Sequence, residues 1–143
     1  MTYYLSLGSN LGEREQTLRQ ALELIAQQIG VITACSDRFY SAPWGYESAN
    51  PFCNLCCCVE TKLEPQQMLQ ATQAIERQLG RDHKTVNGQY TDRTIDIDLI
   101  RAFDENGHEI CYKSGTLTIP HPLWEQREFV RVPLEQIVTT NIN

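Results

Sequence analysis

The amino-acid sequence predicts an α+β domain with the element order β-α-β-β-α-β, which is the order of a ferredoxin-like sandwich. Two segments place apolar residues at helical spacing, 18–29 and 68–79, and each is followed by a glycine. Strand-like segments rich in β-branched and aromatic residues stand before, between and after them. At 143 residues the chain is long enough for one core, so we expect a single domain over 1–143 with a short C-terminal extension.

The first half of the chain supplies the first β-α-β unit. Residues 2–7 alternate loosely and predict a strand that ends at Gly8. Asn10 is predicted to cap the first helix, because an acid follows it at the position of a capping box. Gly30 is predicted to end that helix. Residues 31–42 are rich in β-forming residues and predict a second strand.

The second half repeats the pattern. Residues 52–62 predict a third strand, and Pro65 suits the first turn of a second helix, which Gly80 closes. A polar loop over 81–92 leads into a fourth strand. The remaining chain predicts two short strands and a final helical turn or two.

Composition excludes several classes of protein. The hydrophobic fraction of 41% and the charged fraction of 21% are those of an ordinary globular protein. No apolar run approaches the length of about 18 residues that a membrane span needs, and no secretory leader is recognisable. The net charge of −6 disfavours a dedicated nucleic-acid binder but allows a locally basic pocket for a small anion.

The cysteines are predicted to be reduced and structural. Cys53 and Cys56 form a C-x-x-C pair, but they lie within a predicted strand, and no second pair stands at zinc-ligand spacing. Free cysteine behaves as a small buried hydrophobe. We therefore expect a cytoplasmic protein, and a metal-trafficking role for the pair is disfavoured.

The segment around Asp96 and Asp98 carries the clearest chemistry. In a strand these two carboxylates share one face, while the isoleucines and leucine between and beside them share the buried face. Paired carboxylates suit a hard cation such as Mg²⁺, and the nearby Arg93 suits phosphate. The alternative is a solvated face of an edge strand, which these residues alone leave equally open.

A second group of residues suits a planar ligand. Trp44 and Tyr46 lie in a loop over 43–51, and Phe52 and Asn54 follow it. An aromatic ring and an amide give a heterocycle a stacking surface and hydrogen-bonding partners. The alternative is that Phe52 belongs to the core and Asn54 merely ends a strand.

Two further pairs are candidates for anion or nucleotide contacts. Gln73 and Glu76 share a helix face, which is otherwise simply a solvated surface. His121 stands between two prolines, and with Arg127 it would suit phosphate oxygens, with His121 a donor if protonated. A buried or capping histidine is the alternative.

Taken together, these motifs closely resemble the hydroxymethyl-dihydropterin pyrophosphokinase family of the folate pathway. The combination of R-T-I-D-I-D with L-T-I-P-H-P and a downstream R-x-F is highly specific. The matching segments run in the family's order over nearly the whole chain, at 5–12, 40–43, 52–54, 92–98, 117–129 and 133–134.

The resemblance implies transfer of the terminal diphosphate of ATP to the hydroxymethyl group of a dihydropterin, with release of AMP. Asp96 and Asp98 would hold two Mg²⁺ ions, and Arg81 and Arg93 would be further catalytic groups. The family fold is a ferredoxin-like sandwich, in agreement with the element order. The resemblance also implies small-molecule substrates, no nucleic-acid or membrane partner, and a monomer or weak homodimer.

The resemblance also assigns the binding residues. The pterin would stack between two aromatic rings and be read at its edge, by Ala42, Pro43, Trp44, Phe52, Asn54 and Phe129. The nucleotide would be held by polar and basic side chains, namely Gln73, Glu76, Lys84, Arg93, Thr118, His121 and Arg127. Arg81 and Lys84 would lie in a lid that excludes water from the site.

The chain departs from the family's pattern at a few positions. Tyr90 occupies a stretch where many members have tryptophan, His83 stands where arginine is common, and Pro122 follows His121. These departures bear mainly on the lid. The alternative function is a regulatory module that binds a nucleotide or metabolite on the same fold without turnover. An RNA binder is disfavoured because it needs a basic surface.

Overall fold

The computed structural model describes residues 1–10, 12–41, 51–80, 85–86, 89–90 and 95–141, and for 85–86, 89–90 and 139–141 it describes the backbone alone. The helices are α1 (Arg14–Gln28), α2 (Pro65–Gln78) and α3 (Glu128–Asn141), with a short 3₁₀ turn at Trp124–Gln126. The strands are β1 (Thr2–Ser9), β2 (Val31–Cys35), β3 (Phe39–Ser41), β4 (Phe52–Glu60), β5 (Thr85–Val86), β6 (Gln89–Tyr90), β7 (Asp96–Phe103), β8 (Tyr112–Lys113) and β9 (Thr118–Ile119).

The main sheet is antiparallel and has the strand order β2-β4-β1-β7, with β3 also paired to β4. Two short hairpins accompany it, β5-β6 and β8-β9. The first of these hairpins falls inside the segment 81–92 that the sequence predicts as a loop. The chain is therefore a mixed α/β domain, and its main elements follow the predicted order β-α-β-β-α-β.

The sheet has two faces that are covered by different helices. On the first face, buried side chains from β1, β4 and β7 pack with α1 and α2. The largest of them are Tyr3, Leu5, Leu7, Leu18, Ile25, Val59, Met68, Ile75 and Ile95. On the second face, a smaller cluster packs with α3, and its members are Tyr4, Cys56, Cys58, Ile100, Val130, Leu134 and Ile137. We call these the α1/α2 face and the α3 face.

The first helix begins later than its sequence predicts. Its N-cap is Glu13, and the carbonyl of Glu13 accepts a hydrogen bond from the backbone N–H of Thr17. The prediction that Asn10 caps the helix is therefore wrong. Asn10 is 2% exposed and directly follows β1, which ends at Ser9, one residue beyond the predicted end at Gly8.

The end of that helix at Gly30 is confirmed. A Cβ atom at this position would lie 2.0 Å from the carbonyl oxygen of Glu60 on β4. No side chain fits there, so glycine is required by the close approach of two backbone segments. The second helix also follows its prediction, with Pro65 in its first turn.

The predicted second strand, 31–42, is interrupted. Residues 36–38 separate β2 from β3, although both strands pair with β4. At the break, the side-chain oxygen of Ser36 accepts a hydrogen bond from the backbone N–H of Cys56. A side chain that takes a backbone donor in this way competes with regular pairing, which accounts for the interruption.

The C-terminal extension is longer than the sequence predicts. Instead of a turn or two, α3 runs for 14 residues and contains Pro133. Proline disfavours a helix interior because it lacks a backbone N–H. Here the buried stripe of Val130, Leu134 and Ile137 on the α3 face outweighs that local cost. None of the helices in the described part of the chain is both long and apolar enough to cross a membrane.

Candidate active site

The two acids of the central motif lie on β7 and share the α3 face. Asp96 and Asp98 are half-buried, whereas Ile95, Ile97 and Leu99 are buried against the α1/α2 face, at most 5% exposed. The predicted division of this strand into an acidic face and an apolar face is confirmed. Two residues of strand separate the acids by about 6–7 Å along the backbone, so both carboxylates can reach one cation site.

Pairing across the sheet extends this acidic position into a row. Gly8 on β1 is the register partner of Asp96 on one side and of Asn54 on β4 on the other. Directly opposed residues in antiparallel strands point to the same face. Asp96 and Asn54 therefore lie two strands apart, about 10 Å at the backbone, with no side chain between them.

Gly8 is a site residue that the sequence reasoning missed. A Cβ atom on Gly8 would lie 2.9 Å from Oδ1 of Asn54 and 3.3 Å from the ring of Phe52. Glycine thus allows the amide and the ring to lie directly over the backbone of β1. The available signal was a glycine inside a strand, which often marks a close approach.

The amide of Asn54 is held rigidly. Its Nδ2 atom donates to the carbonyl oxygen of Phe39 at 3.0 Å and to Oγ of Ser41 at 2.8 Å. Both amide hydrogens therefore have acceptors on β3, and Asn54 is only 2% exposed. From the sequence we expect this amide to offer both a donor and an acceptor to a ligand. In the structure the donors hold β3, and Oδ1 is the atom that faces Gly8.

Two aromatic rings belong to the same face. Phe52 begins β4, and the residue before it is held by Arg14, whose guanidinium donates to the carbonyl oxygen of Pro51 at 2.8 Å. Phe129 lies in the first turn of α3 and packs against the apolar cluster of the α3 face. The guanidinium carbon of Arg127 lies 5.9 Å from the centroid of the Phe129 ring.

His121 joins this group from the segment before α3. Its backbone N–H donates to the carbonyl of Ile100 at 2.8 Å, which ties it to β7, and its Nδ1 accepts from the backbone N–H of Leu123 at 3.1 Å. Burial lowers the pKa of His121, the positive charge of Arg127 lowers it further, and the negative charge of Asp96 partly opposes them. The charges of Arg127 and Asp96 therefore both act on His121.

Three other predicted nucleotide contacts lie on α2 and β9. Gln73 is half-buried on α2, and Thr118 is half-buried on β9. Glu76 is 5% exposed, and one of its carboxylate oxygens accepts the backbone N–H of Ile97 at 2.7 Å. The expectation of a solvated helix surface is therefore wrong for Glu76, while its contact with a nucleotide stays a prediction.

Six predicted site residues lie outside the described part of the chain. They are Ala42, Pro43, Trp44, Arg81, Lys84 and Arg93. The family departures at His83 and Tyr90 also have no described side chains.

The cysteines take no part in the site. All six thiols are free, and the C-x-x-C pair lies on β4, with Cys53 packed on the α1/α2 face and Cys56 on the α3 face. Burial raises the pKa of Cys56 to about 12, so this thiol stays protonated. Within the described ranges, no three His, Cys, Asp or Glu side chains converge as metal ligands.

Comparison with known protein families decides the assignment. The sequence model of the family 7,8-dihydro-6-hydroxymethylpterin-pyrophosphokinase (HPPK) matches residues 4–139. The chain belongs to this family. The match includes every described residue of the acidic row and of the segment before α3.

Individual relatives agree with the HPPK assignment. The chain is 44% identical over 136 residues to the 2-amino-4-hydroxy-6-hydroxymethyldihydropteridine pyrophosphokinase of Porphyromonas gingivalis, covering 94% of this chain and 88% of the relative. It is 37% identical over 135 residues to the Bacillus subtilis protein of the same name, covering 94% and 76%. A crystal structure of HPPK-DHPS in complex with substrates has a similar fold, with a TM-score of 0.69 at 16% identity, over 96% of this chain and 40% of that chain.

Proposed function

We propose that this chain transfers the terminal diphosphate of ATP to the hydroxymethyl group of 6-hydroxymethyl-7,8-dihydropterin, with release of AMP. Membership of the HPPK family makes it a pyrophosphokinase of folate biosynthesis. In the proposed reaction the hydroxymethyl oxygen attacks the β-phosphorus of ATP. The bond from that phosphorus to the oxygen bridging the α-phosphate breaks, and the electron pair leaves with AMP.

The observation that carries the proposal is the row formed by Asp96, Gly8 and Asn54 on one face of the sheet. The row brings the carboxylate of Asp96, with Asp98 two residues along the same face, onto one face with an amide and an aromatic ring. The acids suit a cation and a triphosphate, and the amide and the ring suit a planar heterocycle. The two substrates would meet on this face, beside the amide of Asn54 and the ring of Phe52 that Gly8 accommodates.

The residues present fit Mg²⁺. Asp96 and Asp98 supply hard oxygen ligands, and Mg²⁺ in nucleotide sites is usually held by one or two carboxylates together with phosphates and water. Asp96 and Asp98, half-buried on one face of β7, match that donor set. We propose that these two acids hold two Mg²⁺ ions, which when bound offset negative charge on the phosphate oxygens.

The basic groups before α3 would position the triphosphate. Arg127 carries a permanent positive charge. This charge and the charge of Asp96 both act on His121. Thr118 and Gln73 would contact the rest of the nucleotide, as would Arg81, Lys84 and Arg93 from outside the described ranges. Because phosphoryl-group transfer needs little covalent help, positioning and electrostatics would supply most of the rate enhancement.

The pterin would lie on the α3 face between the rings of Phe52 and Phe129. Oδ1 of Asn54 would accept a hydrogen bond from an N–H group at the pterin edge, since both amide hydrogens of Asn54 are engaged by β3. Ala42, Pro43 and Trp44 would read the rest of that edge. Gly8 leaves room for Oδ1 of Asn54 and the ring of Phe52, the two groups that would contact the pterin here.

We further propose that the domain is a ferredoxin-like sandwich. Its sheet order β2-β4-β1-β7 and its helices α1 and α2 on one face support this assignment. We also propose that the chain acts in the cytoplasm on small molecules, as a monomer or weak homodimer. Four buried free cysteines agree with a reducing compartment.

The experiment that tests the proposal follows nucleotide products. The protein is incubated with ATP, Mg²⁺ and 6-hydroxymethyl-7,8-dihydropterin, and AMP and ADP are separated. AMP is expected only when the pterin is present. Asp96→Asn and Asp98→Asn should each lower the rate about a thousandfold, because each removes a negatively charged ligand. Asp37→Asn, at an exposed acid, serves as the matched control.

Other products would change the assignment. ADP in place of AMP would mean transfer of a single phosphoryl group and would contradict the proposal. Tight ATP binding without any turnover would favour a regulatory module on the same fold.

A further inference from the structure

Glu76 is an acid in an unusual position. It lies on α2, which packs on the α1/α2 face, opposite the face that carries Asp96 and Asp98. Its side chain is almost fully buried, at 5% exposure. A buried carboxylate costs free energy unless its oxygens are hydrogen-bonded. The structure supplies such a bond, because Oε2 of Glu76 accepts the backbone N–H of Ile97 at 2.7 Å.

The donor in this bond is the residue between the two acids of the site. In the sheet order, β7 is the last strand, and its pairing with β1 begins at Asp96 and continues to Phe103. The N–H of Ile97 donates to Glu76 and not to β1, so it points to the outer edge of the sheet. Among the described residues, the main sheet has no further strand beyond β7 at this point.

An edge strand without such a partner is free to shift or twist. A hydrogen bond to an ionised carboxylate is shorter and stronger than a neutral one, and the bond between Glu76 and Ile97 is buried. The bond therefore fixes the backbone at Ile97, which lies between the two acidic residues. A functional site must hold its ligands to within about 0.5 Å, and residues behind the site supply that precision.

We infer that Glu76 is a positioning residue. It holds the backbone of β7 at Ile97, so that the carboxylates of Asp96 and Asp98 keep a fixed position relative to each other. The inference rests on the proposed function for its effect on the reaction. Glu76 acts through the peptide N–H of Ile97 from behind the sheet, and the property it controls is the affinity of the acid pair for Mg²⁺.

Two variants of Glu76 separate this role from a direct contact with ATP. Glu76→Gln removes the negative charge but keeps an oxygen that can accept the N–H of Ile97. Glu76→Ala removes both. Gln70→Ala, at an exposed position of the same helix, is the matched control. Where Glu76→Ala does not fold, Glu76→Asp replaces it, because a side chain one methylene shorter draws the acceptor away from Ile97.

The first measurement is amide hydrogen exchange and needs no activity. In Glu76→Ala the amide of Ile97 should exchange about tenfold faster or more, while the amide of Leu7 on β1 should be unchanged. In Glu76→Gln both amides should exchange within about threefold of the parent rate. Unchanged exchange at Ile97 in Glu76→Ala would overturn the inference.

The second measurement is the Mg²⁺ dependence of AMP formation. Glu76→Ala should raise the half-saturating Mg²⁺ concentration about tenfold, with the KM for the pterin within about twofold of the parent. Glu76→Gln should restore most of the Mg²⁺ affinity. Equal impairment of Glu76→Gln and Glu76→Ala, with normal exchange at Ile97 in Glu76→Gln, would show that the charge itself is needed and would overturn the positioning role. Failure of the parent chain to form AMP would instead refute the proposed function and leave the exchange result intact.

Discussion

The two faces of the central sheet are built from the same strands but differ in what they present. On the α1/α2 face, Leu7, Leu55 and Ile97 are covered by two helices, and this part of β1, β4 and β7 is apolar. On the α3 face, the same stretch presents Gly8, Asn54 and Asp96. Only the other end of the α3 face, around Tyr4, Cys58 and Ile100, is apolar.

The difference shows how one sheet can serve stability and chemistry at once. Side chains alternate along a strand, so neighbours in sequence belong to different environments. Leu7 adds to the core, and Gly8, the next residue, clears space above the α3 face. Among the described residues, the apolar cluster that packs with α3 includes none of Gly8, Asn54 and Asp96.

Leu7→Ala should have the largest effect on stability. Leu7 is fully buried in the α1/α2 cluster, so truncation removes apolar contacts and leaves a cavity. We expect a loss of about 3 kcal/mol in the free energy of unfolding, measured by urea denaturation. The KM for the pterin, measured well below the melting temperature, should stay unchanged. A changed KM for the pterin with an unchanged free energy of unfolding would contradict the assignment of stability to one face and substrate binding to the other.

Gly8→Ala should have the opposite profile. The added methyl group would lie 2.9 Å from Oδ1 of Asn54 and 3.3 Å from the ring of Phe52, so both must move. A shift of this kind should raise the KM for the pterin about tenfold to a hundredfold. Titration calorimetry with a non-hydrolysable ATP analogue should show nearly unchanged nucleotide affinity. An unchanged pterin KM would mean that this row does not form the pterin site.

Arg101→Met tests the apolar end of the α3 face, away from the acids. The Arg101 guanidinium makes hydrogen bonds of 2.8 and 3.1 Å to the carboxylate of Glu109, and it lies over the rings of Phe103 and Trp124. Partly exposed contacts of these kinds contribute about 1 kcal/mol together. Urea denaturation should show that loss, and AMP formation should be unaffected. A large loss of AMP formation would show that the apolar end of the α3 face affects the acidic end.

The smallest expected effect concerns pH. Burial and the nearby Arg127 lower the pKa of His121 in the folded state below its ordinary value of 6.5. The folded state then binds fewer protons than the unfolded state, so the stability contributed here is complete above pH 6.5 and declines as pH falls from 6.5 through the lower folded-state pKa. Thermal melts should show a fall in Tm on acidification that is smaller by about 1–3 °C in His121→Gln.

Gln126→Ala is the control for that experiment. Gln126 is exposed in the 3₁₀ turn that follows His121 and carries no titratable group, so its replacement should leave the acid-induced fall in Tm close to that of the parent. An identical pH dependence in His121→Gln and the parent would contradict the role given to burial at His121.

Much of the architecture could be predicted from periodicity. The buried stripes of α1 and α2, the two-sided pattern of β7 and the helix end at Gly30 are local signals, and the structure confirms them. The predictions that failed depended on distant partners. Residues 36–38 interrupt the second strand because Ser36 meets Cys56, and α3 continues through Pro133 because its stripe is buried on the sheet.

The candidate site shows the same limit. Asp96 and Asp98 could be placed on one face from the pattern alone, and the structure confirms that placement. Gly8 gains its importance only from the residues that approach it across the sheet. The burial of Glu76 likewise depends on a strand that follows it by 21 residues in the chain, which no local pattern specifies.

The hydrogen bond between the backbone N–H of Leu123 and Nδ1 of His121 has one more consequence. It occupies the lone pair of Nδ1, so the single proton of the neutral imidazole resides on Nε2. The ring is then a hydrogen-bond donor without being a cation. An anionic oxygen within reach of Nε2 would meet a donor across the whole range above the histidine pKa, so recognition at this position would persist in alkaline solution where a protonated imidazole would be lost.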